Sequence, residues 1–385
     1  MVNVMLKKKS NMAKEPIGTV RETVKKARGM KRGISALTKL DGTPGSKSVK
    51  EPRVQFGKGL DVGTAFVYCA QTQGDSVIFR SQRDAFFDVE VSDFAKEIFK
   101  KLHVRYIQKG DQLYVVGDEA IRFANIFNRN TRRPMSQGVV SPGEEDALPM
   151  IELIIKNVLG APRREGETVY YSLPGDPVDA DFDVIYHTNL VRSMIERWGY
   201  TAKPVNEALA VVLSELASEN FTGIGLSFGG GMVNVTLAHL SVPIFSFSVA
   251  KAGDWIDEQA AKVTGSTASK VCAIKEKGLD LTKTEGLSRV EHALATYYDH
   301  LIEYVLAHIK REIERTRKMP TFDKPLTMVV SGGTASVPGF ITHFKRVLKK
   351  LSFPLQVGEV RLASEPLYSV AKGALVMALS DERRK

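Results

Sequence analysis

Three glycine turns, each flanked by β-type apolar residues, constrain this chain more than any other feature. The first is Gly59-Leu60-Asp61-Val62-Gly63-Thr64, leading into the apolar run Ala65 to Ala70. The second is Leu226-Ser227-Phe228-Gly229-Gly230-Gly231-Met232, and the third is Val329-Val330-Ser331-Gly332-Gly333-Thr334. A turn without Cβ atoms lets backbone N–H groups approach a phosphate, so each can cradle an anion. Three of them spread across one chain imply two lobes closing on one nucleotide.

The chain has 385 residues, enough for two domains and additional elements. Strand-like and helix-like patterns alternate along it, which predicts an α/β protein. Phe56 to Ala70 reads as two strands around the first turn, and Leu113 to Ala120 as a strand running into a helix. Met150–Leu159, Leu190–Trp198 and Glu207–Leu216 read as helices, and Thr168–Leu173 as a strand ending at Pro174. The longest amphipathic helix is expected over Leu294 to Lys318. A coarse repeat of strand, glycine turn, strands and helices begins at Phe56 and again at Phe221.

Charge divides unevenly. The whole chain has 54 Lys or Arg and 44 Asp or Glu; residues 1–53 hold 14 and 4 of these, leaving 40 of each sign beyond. The body is therefore neutral, and nucleic-acid binding by it is not expected, since that function calls for a basic face on the fold. Residues 1–53 read as a disordered basic extension. Ile17, Val20, Val24 and Ala27, spaced roughly as on a helix face, allow an amphipathic helix on an anionic membrane or acidic partner, which Gly18, Gly29 and Gly33 oppose. No apolar run reaches the roughly 18 to 20 residues of a membrane span, and no secretory leader is evident, so a cytoplasmic protein is expected. Cys69 and Cys272, far apart and without Cys or His at ligand spacing, read as buried reduced thiols, and no metal cluster is expected.

The order and spacing of the turns resemble the actin-like ATPase superfamily, and more closely the bacterial actins of the MreB and MamK type, over about Val54 to Leu379. The family's Asp-Leu-Gly-Thr turn stands here as Asp61-Val62-Gly63-Thr64, and its Val-Gly-Asp-Glu-Ala as Val116 to Ala120. The opening of its interdomain helix resembles Val205-Asn206-Glu207-Ala208-Leu209-Ala210, its Ala-Gly-Asp is matched by Ala252-Gly253-Asp254 with Asp257 following, and its adenosine motif by Gly332-Gly333-Thr334. The resemblance implies a two-lobed actin-like (ribonuclease H-like) ATPase fold with a nucleotide cleft between the lobes. The implied divisions are residues 54–203 for domain I, with a small subdomain at about 85–137; 204–365 for domain II, with a small subdomain at about 255–320; and 366–385 as a C-terminal helix packing back on domain I.

It also implies ATP or ADP with Mg²⁺ as ligands. Asp61 would hold the metal, largely through its waters, and Gly63, Thr64 and Gly229, Gly230 and Gly231 would bind phosphate. Gly253, Asp254 and Lys275 would lie near the ribose, with an exposed helix charge as the alternative for Lys275; Gly332, Gly333 and Thr334 would lie near the base. Asp179, aligned with the family's Glu, is the expected general base, with Asp176 and Asp181 nearby. The family's second phosphate turn opens with Asp where this chain has Ser227, and a hydroxyl cannot supply that charge, so slow or absent hydrolysis is expected. The implied role is a cytoskeletal protein that self-assembles into filaments. The alternative is a non-polymerising scaffold recruited through its basic tail; a small-molecule kinase would need an acceptor-site motif that is not evident.

Overall fold

The computed structural model describes residues 55–385 apart from residues 105 and 127–130. The basic extension, with its disorder, helix and tethering readings, lies outside the described residues.

The first half builds one sheet from two kinds of connection. Strands β1 (Lys58–Val62), β2 (Phe66–Gln73) and β3 (Ser76–Arg83) form an antiparallel meander. Strand β4 (Phe86–Glu90), helix α1 (Asp93–Lys101), β5 (Ile107–Lys109), β6 (Gln112–Val116) and α2 (Asp118–Ile126) follow, with β4, β6 and β5 making a small separate sheet. A short hairpin, β7 (Met135–Ser136) and β8 (Val139–Val140), leads to α3 (Ala147–Leu159), β9 (Glu167–Leu173), α4 (Ile185–Arg197) and β10 (Tyr200–Asn206). Strands β9 and β10 join β1 in parallel, giving the order β10-β9-β1-β2-β3.

The second half repeats this plan. After α5 (Glu207–Glu215), the meander β11 (Gly223–Phe228), β12 (Val233–His239) and β13 (Val242–Val249) is followed by α6 (Gly253–Thr264), α7 (Ala268–Gly278) and α8 (Arg289–Arg315). Then come β14 (Leu326–Ser331), α9 (Phe340–Lys350), β15 (Val357–Leu362) and α10 (Ser369–Glu382), and the sheet runs β13-β12-β11-β14-β15. Each sheet is thus a meander whose first strand pairs in parallel with a later strand. The repeat read at Phe56 and Phe221 is real at the level of topology.

Two helices, α5 and α10, cross between the sheets, and glycines make room for them. A Cβ on Gly59 of β1 would lie 2.0 Å from the Ala371 carbonyl oxygen of α10; one on Gly225 of β11 would lie 2.3 Å from the Ala208 carbonyl oxygen of α5. Where the helices meet, a Cβ on Gly373 would lie 1.9 Å from the Ala210 carbonyl oxygen. The stretches Gly59-Leu60-Asp61-Val62-Gly63 and Gly225-Leu226-Ser227-Phe228-Gly229 therefore occupy equivalent places in the two lobes, with Asp61 and Ser227 as counterparts.

Outside this crossing, α3 and α4 cover the first sheet over Ile151, Ile154, Ile155, Val191 and Ile195. Helix α8 covers the second, burying Leu294, Tyr298, Leu301, Val305 and Ile309 at the predicted spacing. Each such side chain contributes about 1.5–3 kcal/mol by leaving water. A capping box, with Ser288 and Glu291 bonding each other's backbone N–H, sets the start of α8 at Arg289, five residues earlier than Leu294 would suggest. Among the described residues no helix is long and apolar enough to cross a membrane.

Candidate functional site

A cleft of about 910 Å³ lies between the lobes, lined from both. Asp61, Gly63, Thr64, Ser227, Gly229, Gly230, Gly231, Asp254, Lys275, Gly332, Gly333 and Thr334 all line it. Gly253 sits just behind this wall, where a Cβ would meet Thr334 Oγ1 at 2.4 Å and Lys275 Nζ at 3.3 Å.

The second glycine turn is held by its carbonyls. Gly229 O accepts from Gly253 N–H (3.2 Å) and the Thr334 hydroxyl (2.7 Å), and Gly230 O accepts from Asp254 N–H at 2.8 Å. In a trans peptide the N–H points opposite its carbonyl, so these bonds fix which way the turn presents its donors. The two turns also approach each other: a Cβ on Gly231 would lie 2.5 Å from Thr64 Oγ1, and one on Gly230 would lie 3.3 Å from Ala65 Cβ.

Two carboxyls are recessed between the turns. Asp61 at the end of β1 accepts the Ser172 hydroxyl at 2.8 Å. Glu207 opens α5, whose N-terminus is aimed at the cleft by the Asn206 side chain capping Ala208 and Leu209 N–H. Its Oε2 accepts from Asn234 Nδ2 at 2.8 Å. Burial, and then the charge of Asp61, pushes Glu207 up to about 8, against the opposing hydrogen bonds of Ser227 and Asn234; burial raises Asp61 to about 6. Side by side, the two carboxyls hold their protons more tightly than free acids do. Among the described residues no group of three or more His, Cys, Asp or Glu is placed to hold a metal.

Asp179 is elsewhere. Segment 175–179 runs beside the end of β13, with Val178 N–H donating to Ser248 O and Ser248 N–H to Asp176 O, both at 2.9 Å. That path commits the Asp179 carboxylate to Ala250 N–H (2.7 Å) and the Tyr304 hydroxyl (2.9 Å), and it is not among the residues lining the cleft. The carboxyl facing Asp61 is Glu207, which sequence reasoning passed over as a helix-opening acid.

Lys275 is no exposed helix charge: it donates to Gly253 O (3.0 Å) and Asp257 Oδ2 (2.6 Å). Cys69 is buried as read, but Cys272 is only half-buried and lines the cleft. Burial, assisted by Asp257, pushes its thiol up to about 12, so it is no nucleophile. Two ion pairs missed in sequence cross the cleft. Arg83 joins Asp118 (3.0 Å) to Glu276 (3.3 Å) at its mouth, stacked on Phe66, and Arg133 joins Asp254. Only their separation in sequence hid them.

The sequence model described as Volactin matches residues 56–378. No curated protein matches the sequence. Among solved structures, a MamK double helical filament is similar with TM-score 0.64 and 17% identity, covering 84% of this chain and 98% of that one. MreB5 of Spiroplasma citri bound to AMPPNP is similar with TM-score 0.60 and 14% identity, covering 86% and 98%. The same protein bound to ADP gives TM-score 0.59 and 15% identity, covering 85% and 97%. At these identities the likeness concerns the fold, which is the two-domain actin-like one.

Proposed function

Because the chain belongs to the Volactin family and has an actin-like fold, we propose that it is a cytoskeletal protein that binds ATP with Mg²⁺ in its cleft and polymerises head to tail. One observation carries the reading: two equivalent glycine turns face each other across the cleft with Asp61 and Glu207 recessed between them. Backbone donors without Cβ atoms suit phosphate oxygens. Mg²⁺ is commonly held by one or two carboxylates together with phosphate oxygens and waters, which this pair fits without a third acid.

In this proposal Asp61 holds the metal, which when bound neutralises phosphate charge. Gly63, Thr64 and Gly229 to Gly231 take the phosphates, Gly253 and Lys275 lie by the ribose, Asp254, bonded to Gly230, stands between ribose and phosphates, and Gly332 to Thr334 lie by the base. Glu207, rather than Asp179, is the carboxyl that lines the cleft with Asp61, and it would have to release its own proton before it could take one from an attacking water. With Ser227 standing where Asp61 has its counterpart, hydrolysis is slow. The domain divisions at 54–203, 204–365 and 366–385 are proposed on the same basis, with α5 and α10 as the hinge between them.

A ligand touching both lobes biases that hinge, and so the population competent to assemble. A head-to-tail contact that does not close on itself gives a filament, as in the MamK double helical filament. A cytoplasmic location, with the basic extension as tether to an anionic membrane or acidic partner, completes the proposal. The test is high-speed pelleting with electron microscopy of the full chain in ATP·Mg²⁺, in ADP and without nucleotide. Nucleotide-dependent filaments are expected; their absence in every condition favours the non-polymerising scaffold.

A further inference from the structure

The phosphate end of the cleft is closed by the hairpin β7–β8. Its turn, with Gln137 at φ 47° and Gly138 at φ 75°, touches both glycine turns. Gly138 N–H donates to Thr64 Oγ1 at 3.0 Å, and a Cβ on Gly231 would meet Gln137 Cα at 2.9 Å. From the base of this hairpin Arg133 reaches the other lobe, where Nη1 donates to both oxygens of Asp254 at 2.9 and 3.0 Å. Asp254 in turn donates its N–H to Gly230 O, so the partner in this ion pair is built onto the second phosphate turn.

Two details distinguish this pair from an ordinary bridge. Nε and Nη2 of Arg133 make no hydrogen bond among the described residues, and the side chain, which lines the cleft, retains 36% exposure. A guanidinium offers five donors in a planar fork suited to phosphate, and here one nitrogen does all the bonding. Asp84 is fully buried, with neither carboxyl oxygen hydrogen-bonded to a side-chain partner, and Arg133 is the charge acting on it. The guanidinium therefore acts on two acids, bonded to one and through its charge alone on the other.

We propose that Arg133 is a phosphate-responsive latch between the lobes: the terminal phosphate of a bound nucleoside triphosphate competes with Asp254 for its guanidinium, and a diphosphate leaves the ion pair intact. The inference rests on the nucleotide reading of the cleft and adds a residue that tells the two nucleotides apart. A triphosphate carries more charge than one carboxylate and accepts the fork bidentately, so it wins the competition. Released from Arg133, Asp254 acts on Gly230 through its own N–H, which gives phosphate occupancy a route into the second lobe.

The experiment is calorimetric titration of the full chain with AMPPNP and with ADP, each with Mg²⁺, for wild type, Arg133→Met and Asp254→Asn. Arg133→Met is expected to weaken AMPPNP by about tenfold or more, the size of a charge-assisted hydrogen bond, with a much smaller effect on ADP. Asp254→Asn, which frees the guanidinium, is expected to shift the AMPPNP-to-ADP affinity ratio the opposite way. Parallel losses for both nucleotides in both variants mean a purely structural bridge and overturn the latch alone. Wild type binding neither nucleotide overturns the reading of the cleft and the latch with it. Arg133→Lys, which keeps the charge and loses the fork, is the variant to titrate if Arg133→Met does not fold; full wild-type discrimination in it overturns the latch.

Discussion

Asn234 joins Glu207 to the other lobe's loop: its amide nitrogen donates to Glu207 Oε2 at 2.8 Å while its oxygen accepts Gly175 N–H at 2.8 Å. Glu207 is thereby held beside Asp61. Its pKa, raised to about 8 by burial and by Asp61, gives the first prediction. Between the ordinary value of 4.5 and about 8 the folded protein keeps a proton that the unfolded chain has released. The stability linked to that proton is fully present below this window and is lost as pH rises through it. Asp61, also raised, acts with the same sign. Glu207→Gln is therefore expected to flatten the fall in denaturant midpoint between about pH 5 and about pH 8. A fall parallel to wild type contradicts the assignment.

Ser227 occupies the place in the second lobe that Asp61 occupies in the first. Ser227→Asp adds a charge beside Glu207 and Asp61, so without ligand its melting temperature is expected to drop, and saturating ATP·Mg²⁺ to recover most of the loss. Phosphate release should rise at the same time. An unchanged melting temperature with unchanged release counts against a role for this position.

Gly373 is required where α10 crosses α5. Ala has the better helix propensity by roughly 0.8–1.0 kcal/mol, but its Cβ would stand 1.9 Å from Ala210 O. A backbone atom cannot rotate aside, and overpacking of this kind costs about 1–3 kcal/mol or more. Gly373→Ala is expected to be destabilised in urea; a gain would mean that the helices separate easily.

Asp179→Asn tests the displaced base. With Ala250 N–H and the Tyr304 hydroxyl as its partners, its loss is expected to lower stability by about 1–3 kcal/mol and to leave phosphate release per folded molecule unchanged. Loss of release with stability intact would return Asp179 to the site.

What was legible in sequence was local. A tight turn needs glycines in adjacent places, so Gly63 and Gly229 to Gly231, which line the cleft, are legible as turns, as is the apolar face of α8 from Leu294 to Ile313. Glu207 is not, because an acid at a helix start looks the same whether it complements the helix dipole or faces Asp61. Which it does depends on α5 lying between two sheets. Asp179 lies off the cleft lining for the related reason that the path of segment 175–179 along β13 is set by long-range pairing. Arg133 and Asp254 stand 121 residues apart, and no local pattern links them.

The proposed function requires one nucleotide between the two glycine turns. The most direct test is calorimetric titration of ATP·Mg²⁺ into the full chain and into Gly231→Val, whose side chain would occupy the space beside Thr64 Oγ1, with circular dichroism confirming that both are folded. Saturable binding of one nucleotide per chain, lost in the variant, is expected. Wild type that does not bind, or a folded variant that binds equally well, contradicts it.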